Sequence, residues 1–382
     1  MKFISHFFWL FCVFVMLFNA NSIKEVTGKD LAEPEWVRLK LHKPPAELTP
    51  DDYAYLTDWL KNNKKSADVY FIDLFSRYQV VIFGEQHNIK EHKEFIINLI
   101  PRLYHEAGVR CIGWEFSRYT DNEELLSLVT APVFDSDAVL DFARKQFSHD
   151  WNSADHWKII RAIWNLNNSL RPGQEKLRLV GLDINMDFTE FFKVTKTQPA
   201  DSPEYKRLYS EVLKRDYMMA EHAEKEILSK GIKGLLFVGR CHDFTHYEKI
   251  GPRTVMGTLL YKKYGEKVFQ VFPGANNFNC IVKIMSSLNH ERIGFDVYNS
   301  PFATIMSPSY IVDASVPFAQ LARGYVYLGP REQLHSNDVI KGFVTQEMFD
   351  KYHSYYEIDN DRSFSSAEEL DAYFQNNRWP KP

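Results

Sequence analysis

The chain has 382 residues, of which 45% are hydrophobic and 25% charged, the balance of a water-soluble globular protein and not of a disordered or fibrous one. Lysine and arginine total 46 against 50 aspartates and glutamates, a formal net charge of -4. That leaves no basic surplus to neutralise a phosphate backbone, so nucleic acid is not an expected partner.

The first segment reads as a targeting signal. Lys2 precedes an unbroken apolar run over 7–18, which has the length of a secretory apolar region and falls short of the ~20 residues that span a bilayer as a helix. Ala20 and Ser22 supply small residues at a cleavage site, so 1–22 is expected to be a signal peptide and the protein to be exported, periplasmic or secreted. Cys12 sits inside the apolar run behind Trp9, Leu10 and Phe11, where a lipidated cysteine would not be, and no stable membrane anchor is expected after cleavage. The mature chain keeps Cys111, Cys241 and Cys280, an odd number without CxxC spacing, from which no disulfide framework or zinc knuckle can be read.

Residues 23–65 are read as an N-terminal extension carrying one helix. Thr49-Pro50-Asp51-Asp52 is a helix start, with a capping hydroxyl, proline at the first helical position and an acidic first turn; the helix should run to about Asn62. An amphipathic stretch over 67–77 follows. Then 79–83 is a continuous apolar run of strand length that breaks at Gly84, the pattern of a strand buried on both faces. The unit recurs. Helical spacing over 89–107 leads to a strand at 111–114 and Glu115; helical stretches over 122–129, 137–147 and 156–170 lead to a strand at 177–182 and Asp183; a long helix over 204–229 leads to a strand at 234–238, then Gly239 and His242. Such alternation predicts an α/β fold with a largely parallel central sheet flanked by helices. Residues 66–290 would form this core. Residues 291–382, with a strand at 325–328 and a helix over 365–376, would add C-terminal elements, as an extension of the sheet or as a small lobe.

Ligands of an open parallel sheet bind outside the carboxyl ends of its strands. Four expected strands end in titratable side chains: Glu85 and His87, Glu115, Asp183, and His242 with Asp243. Two histidines and several carboxylates at successive strand ends would gather metal ligands or acid/base groups into one crevice. His87, Glu115 and His242, with Glu85 and Asp183 as further donors, form a candidate ligand set for a divalent metal of the zinc or manganese class. The long helix adds Arg215 and Asp216, which fall within its apolar stripe of Leu208, Val212, Met219, Ala223 and Ile227. A charged pair facing the core is costly unless satisfied. Either the two form a buried bridge, or Arg215 faces the crevice as an oxyanion partner while Asp216 orients a histidine. His92, one turn into its helix, reads as solvated, and His149 and His156 as core or pocket lining.

The run from Val81 to His87 with its Gly84-Glu85-Gln86-His87, Glu115 at a strand end, Arg215-Asp216 followed by Met219-Ala220, and the run from Leu236 to His242 with its Gly239-Arg240-Cys241-His242 together resemble the superfamily that unites erythromycin esterases, ChaN-type haem-uptake lipoproteins and TraB/TIKI-type metalloproteases. The likeness covers roughly 78–247. It implies an exported hydrolase that activates water, metal-bound or not, to cleave an ester or amide-like bond in a small molecule, peptide or glycan. Glu85, His87, Glu115, Arg215, Asp216 and His242 would be its catalytic group. The alternative implied by the same likeness is a haem- or iron-binding protein without turnover.

The mature chain is expected to begin at Ile23. N-terminal sequencing of the native protein checks this, and retention of Met1 or Lys2 would refute cleavage.

Overall fold

The computed structural model describes residues 43–146, 152–246, 254–274, 279–309 and 314–376. The expected signal peptide and His149 lie outside the described residues. Within them, β1 (Lys65–Ser66), β2 (Val80–Glu85), β3 (Val109–Arg118), β4 (Arg178–Asp183), β5 (Lys233–Gly239), β6 (Val268–Gly274), β7 (Ile293–Asp296) and β10 (Gly324–Tyr327) form one eight-stranded sheet in the order β1-β7-β10-β6-β2-β5-β3-β4. The strands from β10 to β4 in that order run parallel; β7 is antiparallel to β10, and β1 to β7. A short antiparallel ribbon of β8 (Met306–Ser309) and β9 (Ala314–Pro317) stands apart. This is the mostly parallel, helix-flanked α/β architecture that the alternating pattern predicts. Of the C-terminal strands, β7 and β10 belong to the main sheet and β8 and β9 do not.

Every residue of β2 is buried, which explains its unbroken apolar character. Val81 and Phe83, with Trp114 and Phe237, pack under the helices Lys90–His105 and Ala154–Ser169. Val80 and Ile82, with Leu236 and Val238, pack under Pro203–Ala223 and Met256–Tyr264. The cap at Thr49 forms as its sequence requires, Asp52 N–H donating to Thr49 Oγ1 at 3.2 Å and Thr49 N–H to Asp52 Oδ2 at 2.8 Å, and the helix spans Pro50–Asn63.

The two faces determine where a crevice opens. β2 hands the chain to Lys90–His105 on one face, whereas its neighbour β5 hands it to Met256–Tyr264 on the other. Connections that part in opposite directions leave a gap at the carboxyl ends of the two strands, and His87 and His242 follow those two ends.

At the same edge Gly84 lies against Asp243, whose buried carboxylate accepts from Gln270 Nε2 at 2.9 Å. A Cβ at position 84 would sit 1.9 Å from Asp243 Oδ2. Gly84→Ala is therefore expected to cost about 1–3 kcal/mol through overpacking, measured as a lowered urea midpoint at unchanged slope.

Candidate active site

Arg215 stands at the centre of the crevice. The helix Pro203–Ala223 delivers it, buried, to Asp183 at the end of β4 and to Glu115 in β3, a strand that continues past the end expected at Glu115 to Arg118, with its register to β4 shifting between Trp114 and Arg118. Its Nε donates to Asp183 Oδ1 at 2.7 Å, and its Nη2 to Asp183 Oδ2 and to Glu115 Oε1, both at 2.8 Å. The next residue, Asp216, turns elsewhere. Its Oδ1 lies 2.7 Å from His242 Nδ1 and accepts the Met256 N–H at 2.9 Å, so it holds the ring and caps the following helix at once. The two residues thus do not serve as a bridge to one another: Arg215 gathers carboxylates, and Asp216 orients a histidine.

The other ring nitrogen of His242, Nε2, lies 3.4 Å from Glu115 Oε1 and 3.2 Å from Arg215 Nη1. Burial alone would lower the pKa of this ring, but the charges of Asp216 and Glu115 and the hydrogen bonds to them outweigh it and raise it to about 10. The ring is a cation at neutral pH. Glu115 is the counterpart: burial would raise its pKa, and His242 and Arg215 hold it well below the usual carboxylate range. Its Oε2 also accepts the Gly239 N–H.

The second half of the crevice is built on the turn after β2. His87 Nδ1 pairs with Glu85 Oε1, and the buried Lys93 Nζ pairs with Glu85 Oε2. Lys93 also donates to the carbonyls of Gln86 at 2.7 Å, His87 at 2.8 Å and Ile89 at 3.2 Å, and so fixes both the carboxylate and the turn that carries the histidine. His87 Nε2 points toward β5. A Cβ at Gly239 would lie 2.9 Å from it and 3.0 Å from Glu115 Oε2, so only glycine leaves room for His87 and Glu115 to border the same space. A segment from the C-terminal region straps this half together. Lys90 N–H donates to His335 O at 2.9 Å, Asn337 Nδ2 to His87 O, and Asp338 N–H to Asp155 Oδ2 at 2.6 Å. The last contact holds the first turn of Ala154–Ser169, where His156 lies buried with its ring centroid 6.5 Å from that of His87.

Glu85 with His87, and Glu115, Asp183, Asp216 and His242 around Arg215, lie at the carboxyl side of the sheet. Asp183 enters as the partner of Arg215. His92, read as solvated, is instead fully buried: its helix starts directly beneath the 86–89 turn, and its Nδ1 accepts the Gln86 N–H at 3.0 Å. Sequence reasoning passed over Lys93, although it falls three and seven residues before Ile96 and Ile100 in an apolar stripe, the same signal that drew attention to Arg215. Beyond Glu115 and Asp183 a cavity of about 140 Å³ opens, walled also by Phe116, Met186, Phe188 and Tyr352. The helix Gln346–Asn360 closes its side, Lys351 pairing with Asp187 at 3.0 Å.

No family model and no curated protein matches the chain. Solved structures do. A Bacillus cereus protein superimposes with a TM-score of 0.55 at 11% identity, over 75% of this chain and 99% of its own. A succinoglycan biosynthesis protein gives 0.55 at 10% identity, over 77% and 100%. What is shared is the fold. The structural neighbours also include an erythromycin esterase, with a TM-score of 0.45 at 11% identity over 74% and 94%, and the haem-binding ChaN of Campylobacter jejuni, with 0.38 at 13% over 56% and 88%.

His242 gives a test with a defined sign. A histidine titrates near 6.5 when unfolded and this one at about 10 when folded. Its contribution to stability is therefore complete below about pH 6.5 and is lost as pH rises toward 10. Asp216→Asn should lower stability at pH 7 by about 3–5 kcal/mol, because it leaves a buried charge uncompensated. It should also flatten the fall between pH 7 and 9.5, read by denaturant unfolding at both values.

Proposed function

We propose that the protein is an exported hydrolase that activates water at His87 to cleave an ester or amide-like bond. The observation that carries this reading is the pairing of Glu85 with His87 Nδ1, which leaves Nε2 facing Glu115 across Gly239. A carboxylate that fixes the tautomer and orientation of an imidazole makes its other nitrogen a general base. Lys93 holds Glu85 in place.

In the step this supports, His87 Nε2 takes a proton from water as the oxygen adds to the carbonyl carbon. The carbonyl π pair moves to oxygen, and the resulting oxyanion lies in the positive field of Arg215 and the His242 cation. Collapse expels the alkoxide or amine, which recovers the proton from His87. Arg215 acts through a fixed geometry, since its donors are already committed to Asp183 and Glu115, so no reorganisation accompanies charge development. The cavity is well below the roughly 300–1,000 Å³ that encloses a drug-sized ligand. Glu115 borders both this cavity and the His87 side of the crevice, so the cavity receives a small substituent next to the scissile bond and leaves the rest of a small-molecule, peptide or glycan substrate outside. The same dimensions, with Asp183, Asp187, Arg118 and Lys145 in the walls, do not fit the broad apolar face of a haem. Export rests on the sequence of residues 1–22.

On a panel of activated and natural esters, His87→Ala is expected to lower kcat/KM by about 10²–10⁴ with an unchanged melting temperature, and Glu85→Gln to give a smaller loss. No turnover of any ester by the wild-type protein, together with a Soret band on adding hemin, would overturn the hydrolase reading in favour of haem binding.

A further inference from the structure

The sequence offers His87, Glu115 and His242 as a metal ligand set, and the geometry breaks that set apart. Arg215 Nη2 occupies Glu115 Oε1 at 2.8 Å. Both nitrogens of His242 are engaged, Nδ1 by Asp216 and Nε2 by the Glu115 and Arg215 groups. A guanidinium therefore sits where a cation would have to go.

A different trio does come together. One donor atom from each of Glu85, His87 and His156 lies within 4.8 Å of the other two. We infer that Glu85, His87 and His156 form a binding site for one divalent transition metal of the zinc class. Two imidazoles and a single carboxylate oxygen make a three-ligand set with an open position for water. That donor set favours zinc or a neighbouring transition metal over magnesium and calcium, which demand more oxygen ligands.

The surroundings suit the role. The Phe116 ring lies 4.2 Å from that of His156 and 5.5 Å from that of His87, centroid to centroid, forming an apolar wall that limits access of solvent to the ligands. Lys93 holds Glu85 through Oε2, and Oε1 faces the imidazoles, paired with His87 Nδ1 until a cation takes the place of that contact. The strap fixes both ligand-bearing segments, through the Asn337 bond to His87 O and the Asp338 bond to Asp155. Closing onto a cation at about 2.0–2.2 Å takes short side-chain shifts. A cation held by Glu85, His87 and His156 would engage a His87 lone pair and would lower the pKa of a water at its open position, supplying by another route the water activation assigned to His87.

The site is tested by binding alone, which keeps it separable from the hydrolase reading: an inactive protein that binds zinc leaves this inference standing, and an active one that does not leaves only the other. Chelator-stripped mature protein is titrated with zinc and with magnesium by calorimetry, and a zinc-soaked crystal is examined by anomalous diffraction. One zinc per chain, at least tenfold tighter than magnesium, and an anomalous peak among Glu85, His87 and His156 are expected. His156→Gln should weaken zinc binding at least tenfold; if that variant does not fold, Glu85→Gln takes its place. Absence of zinc binding, an anomalous peak between Glu115 and His242, or unchanged affinity in a folded His156→Gln protein would overturn the inference.

Discussion

The crevice depends on one buried guanidinium. Arg215 draws together the carboxylates of Glu115 in β3 and Asp183 at the end of β4. A buried charge is tolerable only where its partners are in place and well aligned, so this contact orders two strands and the helix that supplies the arginine. Asp216, one residue on, meets the His242 ring beyond β5 and the first backbone N–H of the helix that follows. Adjacent residues on one helix turn thus tie three strands to two helices. Weakening either residue would loosen the whole carboxyl edge of the sheet.

Within this frame the histidines are held in different electrical states. His242 has carboxylates on both sides and carries a charge. His156 has its pKa pushed well below the usual value, by burial first and then by Lys93 and His87, and stays neutral. His87 is oriented by Glu85 and borders Glu115. Sites that perform acid/base chemistry at neutral pH are built in this way, from chemically identical side chains whose surroundings drive their protonation apart. The contrast is produced by the neighbours each strand end provides, and by Lys93 in particular, which neutralises Glu85 on one side and disfavours a proton on His156 on the other.

The parts legible in the sequence are those governed by local pattern. Parallel strands buried on both faces must be continuous apolar runs, so the places where they end are visible, and the titratable residues at those ends fall into one crevice because a parallel sheet aligns its carboxyl edges. The charges inside the apolar stripe of the long helix were visible for the same reason. What pattern cannot supply is partnership. Adjacent opposite charges invite pairing with one another, yet Arg215 and Asp216 point about 100° apart around the helix and find separate partners. His156 reads as lining because nothing local distinguishes it; the strap of 335–338, which lacks periodicity, ties its helix start to the His87 turn across separations of 183 and 250 residues.

That strap carries a consequence for biosynthesis. Chains emerge from the ribosome amino end first and their domains begin to fold in that order, so the strands bearing Glu85, Glu115, Asp183 and His242 can associate while the fastening segment is still untranslated. The turn at His87 and the helix start at His156 come under a common tether only when residues 335–338 arrive, after the last strand of the main sheet. A chain truncated before residue 335 would possess every strand of the main sheet and yet lack the tether that joins the His87 turn to the helix carrying His156.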